Sequence, residues 1–244
     1  DAFDRMLRCE TVKACLLMTS CRNPVGTTMP DSVKQALVAL LQRRGVPLIE
    51  EDSNGELWFS SRAPRPAKAF DQVGHVLHMG TFANSLEPGG GVGWVAAGRY
   101  CARLVELQAS SSGPTSALNQ AAVAEYLKGG RYDAHLRRLR RALSERCRQL
   151  LEALHKALPA GSCFQAPDGG CVTWVQLPRS IDGRELRRRA RREGVGLAPG
   201  AMFSTHPACK NFVRVGFGDA WSEQREGAVR TLGRLVAERN ETGC

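Results

Sequence analysis

The stretch His78-Met79-Gly80-Thr81-Phe82-Ala83-Asn84-Ser85-Leu86-Glu87-Pro88-Gly89-Gly90-Gly91-Val92-Gly93-Trp94 decides how this chain is read. Residues 75–79 and 92–97 have strand-like composition, and Gly89, Gly90 and Gly91 between them predict a flexible turn. The same grammar holds upstream. Residues 12–18 are apolar enough for a buried strand, which ends at the strong turn Asn23-Pro24-Val25-Gly26. A helix is then expected, capped by Asp31, with Val33, Leu37, Leu40 and Leu41 on one face and Gly45 as its stop. Residues 47–49 return as a strand that delivers Glu50, Glu51 and Asp52 at its end. Residues 62–70 read as a proline-rich surface loop. Strand, helix and strand in that order, with charged residues at strand ends, predict a parallel α/β sheet that takes ligands at the carboxyl ends of its strands.

Farther along, Leu136, Leu139, Leu143, Leu150 and Leu154 keep a three-or-four-residue spacing, which predicts one long helix leading out of the sheet. After Pro159 the pattern changes. A strand is expected at 171–177, a basic helix at 183–192, a strand at 211–217 and a helix at 223–238 with Ala228, Val229, Leu232, Leu235 and Val236 on one side. These elements form an α+β unit, so the expected division is 1–158 and 159–244.

Four segments together resemble one family: Asn23-Pro24-Val25-Gly26, the run from Ile49 to Leu57, the segment around Asn84, and Asn211-Phe212-Val213-Arg214-Val215. In order and spacing they are similar to class I/II aminotransferases of the fold-type I pyridoxal-phosphate group. The stretch from Gln120 to Leu143, Pro167-Asp168-Gly169-Gly170 with Trp174, and Ala198-Pro199-Gly200 with Phe203 look more narrowly like the aminotransferase-like domains of MocR/GntR-type transcription regulators. The resemblance implies part of a large domain, built on a mostly parallel sheet with a long connecting helix, followed by a small α+β domain. It also implies pyridoxal 5'-phosphate as cofactor, an amino acid or 2-oxo acid as ligand, and a homodimer.

Around its Schiff-base lysine the family carries a pattern close to Gly-Ser-Phe-Ser-Lys-x-Leu-x-Pro-Gly-x-Arg-x-Gly-Trp. That lysine supplies the amine that condenses with the cofactor aldehyde and later moves a proton. By resemblance Asn84 stands at the lysine position, Gly91 at a phosphate-binding arginine, and Thr81 at a phosphate-binding serine. Asn23 matches the asparagine that bonds the ring oxygen, Asn54 replaces the tyrosine there, and Glu51 replaces the aspartate facing the pyridine nitrogen. Arg214 matches the arginine that grips a substrate carboxylate through paired hydrogen bonds. None of the six lysines falls in a motif suited to replace position 84. The expectation is a degenerate, catalytically inactive cofactor site that forms no internal aldimine. The alternatives are a working aminotransferase completed by another lysine or a partner chain, and a non-catalytic dimerisation or ligand-sensing module. The family also has large-domain strands before the one at 12–18, and MocR-type regulators a winged-helix DNA-binding domain before those; DNA contact is expected only through that domain.

Composition adds bounds. No apolar run has the length of a bilayer span, and no basic-then-apolar leader opens the chain, which predicts a cytoplasmic protein without membrane attachment. The nine cysteines show neither Cys-x-x-Cys pairs nor metal-ligand spacing, so they read as reduced thiols and no metal site is expected. The net charge of +10 comes mostly from arginines at 137–148 and 184–192. These runs read as solvated helix faces; nucleic-acid binding through them predicts a steeply salt-dependent affinity.

Overall fold

In the computed structural model, which describes residues 2–111, 113–204 and 207–241, the chain divides into two compact units. One comprises residues 1–22 and 27–139, the other residues 23–26 and 140–244.

The first unit opens with helix α1 (Ala2–Cys9) and contains β1 (Cys15–Leu17), α2 (Asp31–Arg44), β2 (Leu48–Glu51), β3 (Val76–Thr81) and β4 (Gly93–Ala96). The strands are ordered β1-β2-β3-β4; the first three run parallel and β4 is antiparallel to β3. The expected parallel sheet is therefore present, with an antiparallel strand at one edge. Its core gathers Leu7, Val38, Leu41, Val46, Leu48, Ala67 and Val76. Burial of such side chains stabilises by roughly 1.5–3 kcal/mol each. Helix α2 ends as expected, because Gly45 adopts the left-handed conformation at φ +67° and its N–H bonds the carbonyls of Gln42 and Leu41. Its start differs from expectation. Pro30 occupies the cap position without a side-chain bond, and Asp31 lies in the first turn, where its charge favours the positive end of the helix. The proline-rich segment also differs, closing in a short 3₁₀ turn over Ala67–Phe70 with Ala67 fully buried. Helices α3 (Cys101–Ser111) and α4 (Ala117–Lys128) follow, neither with a buried residue.

Helix α5 (Arg131–Ala157) runs from the first unit into the second. The units change over at residues 139 and 140, inside this helix, whereas residue 158 is where the helix has ended. The second unit is a four-stranded antiparallel sheet in the order β5-β6-β8-β7, formed by β5 (Cys163–Phe164), β6 (Val172–Gln176), β7 (Ala198–Pro199) and β8 (Phe212–Gly216). Helices α6 (Gly183–Arg192) and α7 (Glu223–Glu241) complete it. Strand alternation sorts the side chains: Val175 and Val213 pair on a fully buried face, and Trp174 and Arg214 pair on the other. Helix packing is close where Gly233 meets α5; a Cβ there would collide with the Ala157 carbonyl.

Candidate functional site

In the first unit the chemistry-bearing residues stand at the carboxyl ends of β2 and β3, where a parallel sheet presents its ligand sites. Asn84 lies in the loop that leaves β3. Its amide nitrogen donates to Asn54 Oδ1 at 3.1 Å and to the Ser53 carbonyl at 3.3 Å. Asn54 is buried and in turn donates from Nδ2 to the Cys21 carbonyl at 3.1 Å. The two residues that replace lysine and tyrosine in the resemblance thus bond each other. Together they tie the β3 loop to the turn after β2 and to the chain after β1.

The neighbouring positions are less connected. Thr81 serves its own turn, donating to the Val92 carbonyl at 3.3 Å and accepting from the Ala83 N–H at 3.1 Å. Glu51 Oε1 accepts from the Ser53 N–H at 2.9 Å. Gly91 has φ +60° and open space where a Cβ would stand. A side chain there has room but must take a left-handed backbone, at a cost of about 1–2 kcal/mol.

Sequence reasoning missed two networks behind these positions. In the first, Ser85 Oγ donates to Glu56 Oε2 at 3.1 Å and lies 2.7 Å from Tyr132 Oη. The Tyr132 hydroxyl also donates to Glu56, and His135 Nε2 lies 2.6 Å from the Ser85 carbonyl. Glu56, from the turn after β2, and two residues of α5 therefore hold the residue next to Asn84. In the second network, Glu50 is fully buried and accepts four hydrogen bonds. They come from Thr19 Oγ1 at 2.5 Å, the Ala67 N–H at 2.6 Å, the Lys68 N–H at 2.9 Å and His78 Nδ1 at 3.0 Å. Burial alone raises the Glu50 pKa, but these bonds outweigh it and hold the carboxyl below its usual range. Lys34 is fully buried too, donating to the Arg65 carbonyl at 2.6 Å and Ser20 Oγ at 3.0 Å. Burial lowers its pKa against the pull of Glu50 and other acids. Glu50 and His78 are register partners on adjacent strands, a relation that appears only once β2 and β3 are aligned.

Asp52 lies beside this cluster. Its Oδ1 is buried without a hydrogen-bond partner among the described residues, and its Oδ2 is 3.6 Å from His78 Nε2. Burial, opposed by His78 and reinforced by Glu50, pushes its carboxyl up to about 7. The folded state therefore keeps a proton that the unfolded chain loses near its ordinary pKa of about 3.9. This stability contribution is full below that value and is lost as the pH rises to about 7. Replacing Asp52→Asn should make the protein more stable than the parent at pH 8, on the order of 2–4 kcal/mol, with the gap closing near pH 4. Urea unfolding at the two pH values measures this; a destabilised variant at pH 8 contradicts it.

In the second unit Arg214 and Asn23 come together. Arg214 Nη1 donates to Asn23 Oδ1 at 2.8 Å, and the guanidinium lies over the Phe203 ring at 4.8 Å. Phe203 packs edge-on against Trp174 at 5.6 Å, and Trp174 stacks on Phe212 at 5.4 Å. The Phe203 ring backs the guanidinium, a setting that attracts a cation. The turn Asn23-Pro24-Val25-Gly26 is seated by the Asp168 N–H, which bonds the Gly26 carbonyl at 2.9 Å. Gly26 sits at φ +75° where a Cβ would collide with Pro167. Among the described residues no His, Cys, Asp and Glu cluster could hold a metal ion, and no helix is long and apolar enough to cross a membrane.

The sequence profile described as "Aminotransferase class I and II" matches residues 1–232. The chain belongs to this family. Among its relatives is the "Uncharacterized HTH-type transcriptional regulator YdcR" of Escherichia coli (strain K12), 43% identical over 98% of this chain and 51% of its own. The "Aromatic-amino-acid aminotransferase 1" of Thermococcus litoralis is 30% identical over 93% of this chain and 55% of its own. Of solved structures, the "multiple substrate aminotransferase (MsAT)" from Thermococcus profundus superposes with a TM-score of 0.90 at 30% identity, covering 99% of this chain and 60% of that one. The "LysN, alpha-aminoadipate aminotransferase" of Thermus thermophilus reaches 0.92 at 28% identity, covering 99% and 63%. The chain spans about half the length of the curated relatives it matches. The fold-type I aminotransferase fold is shared, and the family's cofactor is pyridoxal phosphate.

Proposed function

We propose that this chain is the aminotransferase-fold domain of a MocR-like transcription regulator whose cofactor site no longer forms an imine. In this reading residues 1–158 are the partial large domain with its connecting helix, and 159–244 are the small domain. Several relatives carry names of HTH-type regulators, and sequence-specific DNA reading belongs to the helix-turn-helix part those names denote.

The observation that carries the proposal is the Asn84–Asn54 bond. An imine needs a primary amine facing the aldehyde. An amide nitrogen, its lone pair delocalised into the carbonyl, is no nucleophile, and this one donates to two oxygens. Two lysines of the first unit are also engaged: Lys68 Nζ bonds Asp71 and the Val76 carbonyl, and Lys34 Nζ bonds Ser20 and the Arg65 carbonyl. With Gly91 in place of a phosphate cation, these residues do not fit a covalently held pyridoxal phosphate. Arg214 keeps the guanidinium that holds a carboxylate, so a noncovalent amino acid or 2-oxo acid is the ligand class that suits the second unit. A homodimer is the assembly proposed for the domain.

Mixing the protein with pyridoxal phosphate and then with an amino donor should leave the cofactor spectrum unchanged apart from free-solution imine chemistry. An amino-donor-dependent half-reaction at protein-stoichiometric amplitude would instead establish a working aminotransferase.

A further inference from the structure

Helix α6 reads Gly-Arg-Glu-Leu-Arg-Arg-Arg-Ala-Arg-Arg, and its burial separates two faces. Gly183, Leu186 and Ala190 are buried, whereas Arg184, Arg187, Arg188, Arg191 and Arg192 are exposed. At 3.6 residues per turn, Arg184, Arg187, Arg188 and Arg191 form one stripe about 10 Å long, with Arg192 beside it.

Several other guanidinium groups of this unit are offset by acids. Arg148 pairs with Glu145 and Glu152, Arg234 with Glu193 and Glu238, Arg225 with Asp219, and Arg189 with Glu238. The exposed stripe is different. Among the described residues only Arg188 has a carboxylate partner there, Glu185, and Arg187 reaches only Met202 Sδ at 3.4 Å. Arg184, Arg191 and Arg192 have none. At the start of the helix, Arg179, Arg184, Arg188 and Lys210 line an open notch of about 410 Å³ together with Asp182 and Glu185. Both acids are committed. Asp182 accepts from the Arg184 N–H at 2.8 Å and pairs with Lys210 at 3.4 Å, and Glu185 pairs with Arg188.

We propose that this face of α6 docks on the phosphate backbone of duplex DNA, independently of the fate of the cofactor site. Unpaired guanidinium groups suit phosphate oxygens, which accept their forked N–H donors and release condensed counterions on contact. The face lacks the features of the competing polyanions. Among the described residues its one neighbouring exposed apolar side chain is Met202, too little to insert into a bilayer, and no aromatic stands on the helix to stack an unpaired base. Contacts of this kind position a protein on DNA without reading its sequence.

The test is fluorescence anisotropy of a short labelled duplex of arbitrary sequence with the full chain. Four phosphate contacts predict that affinity falls on the order of a hundredfold between about 50 and 200 mM salt. The variant Arg184→Ala, Arg187→Ala, Arg191→Ala, Arg192→Ala keeps strong helix formers, so an unchanged circular dichroism spectrum certifies its fold. It should bind about tenfold or more weakly and lose most of the salt dependence. A charge-matched variant, Arg5→Ala, Lys13→Ala, Arg43→Ala, Arg62→Ala, should bind like the parent. The proposal is overturned if the duplex is not bound at low salt, or if both variants weaken equally, which would mean diffuse attraction by net charge. Tighter binding to a single strand or to anionic phosphatidylserine vesicles would overturn it as well.

Discussion

Replacing Glu50 with leucine should destabilise the protein by about 3–5 kcal/mol, among the largest effects of any single change in the first unit. The loss follows from what the carboxylate satisfies. Thr19, His78 and the backbone N–H groups of Ala67 and Lys68 all direct hydrogen bonds to it. Each buried donor left without an acceptor costs about 1–3 kcal/mol. The buried Lys34 ammonium also loses the largest favourable charge acting on it. Glu50→Gln keeps the shape and one acceptor oxygen, so it should cost roughly half as much. Denaturant unfolding midpoints measure both changes. If leucine were tolerated with no shift in the midpoint, the four-bond description of Glu50 would be wrong.

Converting Asn84→Lys alone should not recover tight pyridoxal phosphate binding. The new amine displaces the bond to Asn54 and leaves its Oδ1 without that donor. Asn54 stays where the family has a tyrosine, and Gly91 still supplies no phosphate cation. A hydrogen bond to a charged phosphate contributes about 1.5–3 kcal/mol, so the missing arginine alone weakens binding by roughly 10- to 150-fold. Adding Gly91→Arg is hampered by the left-handed backbone at that position. Tight, stoichiometric cofactor uptake by the single variant, read by absorbance titration, would count against this account.

Much of the fold is legible in the sequence because local rules agree with the tertiary outcome. The strand at β2 and the Gly45 stop of α2 follow from periodicity and turn chemistry, whereas α2 turns inward the face of Lys34, Val38 and Leu41 and leaves Val33 exposed, and β1 leaves Leu16 exposed rather than buried. Helices α3 and α4 lie outside the core of the unit, since no residue of either is buried. The 3₁₀ turn at Ala67–Phe70 hides in a proline-rich segment because a distant acid, Glu50, fixes its backbone N–H groups. The candidate site divides the same way. Its altered positions stand out one by one against the family pattern. That Asn84 and Asn54, thirty positions apart, bond each other depends on how the loops after β2 and β3 meet, and no spacing rule encodes it.

The most direct test of the central claim, that position 84 offers no amine to the cofactor, is borohydride trapping. The native chain is incubated with pyridoxal phosphate, reduced, digested and mapped by mass spectrometry. Only scattered, substoichiometric labelling of exposed lysines is expected. A stoichiometric phosphopyridoxyl adduct on one specific residue would contradict it.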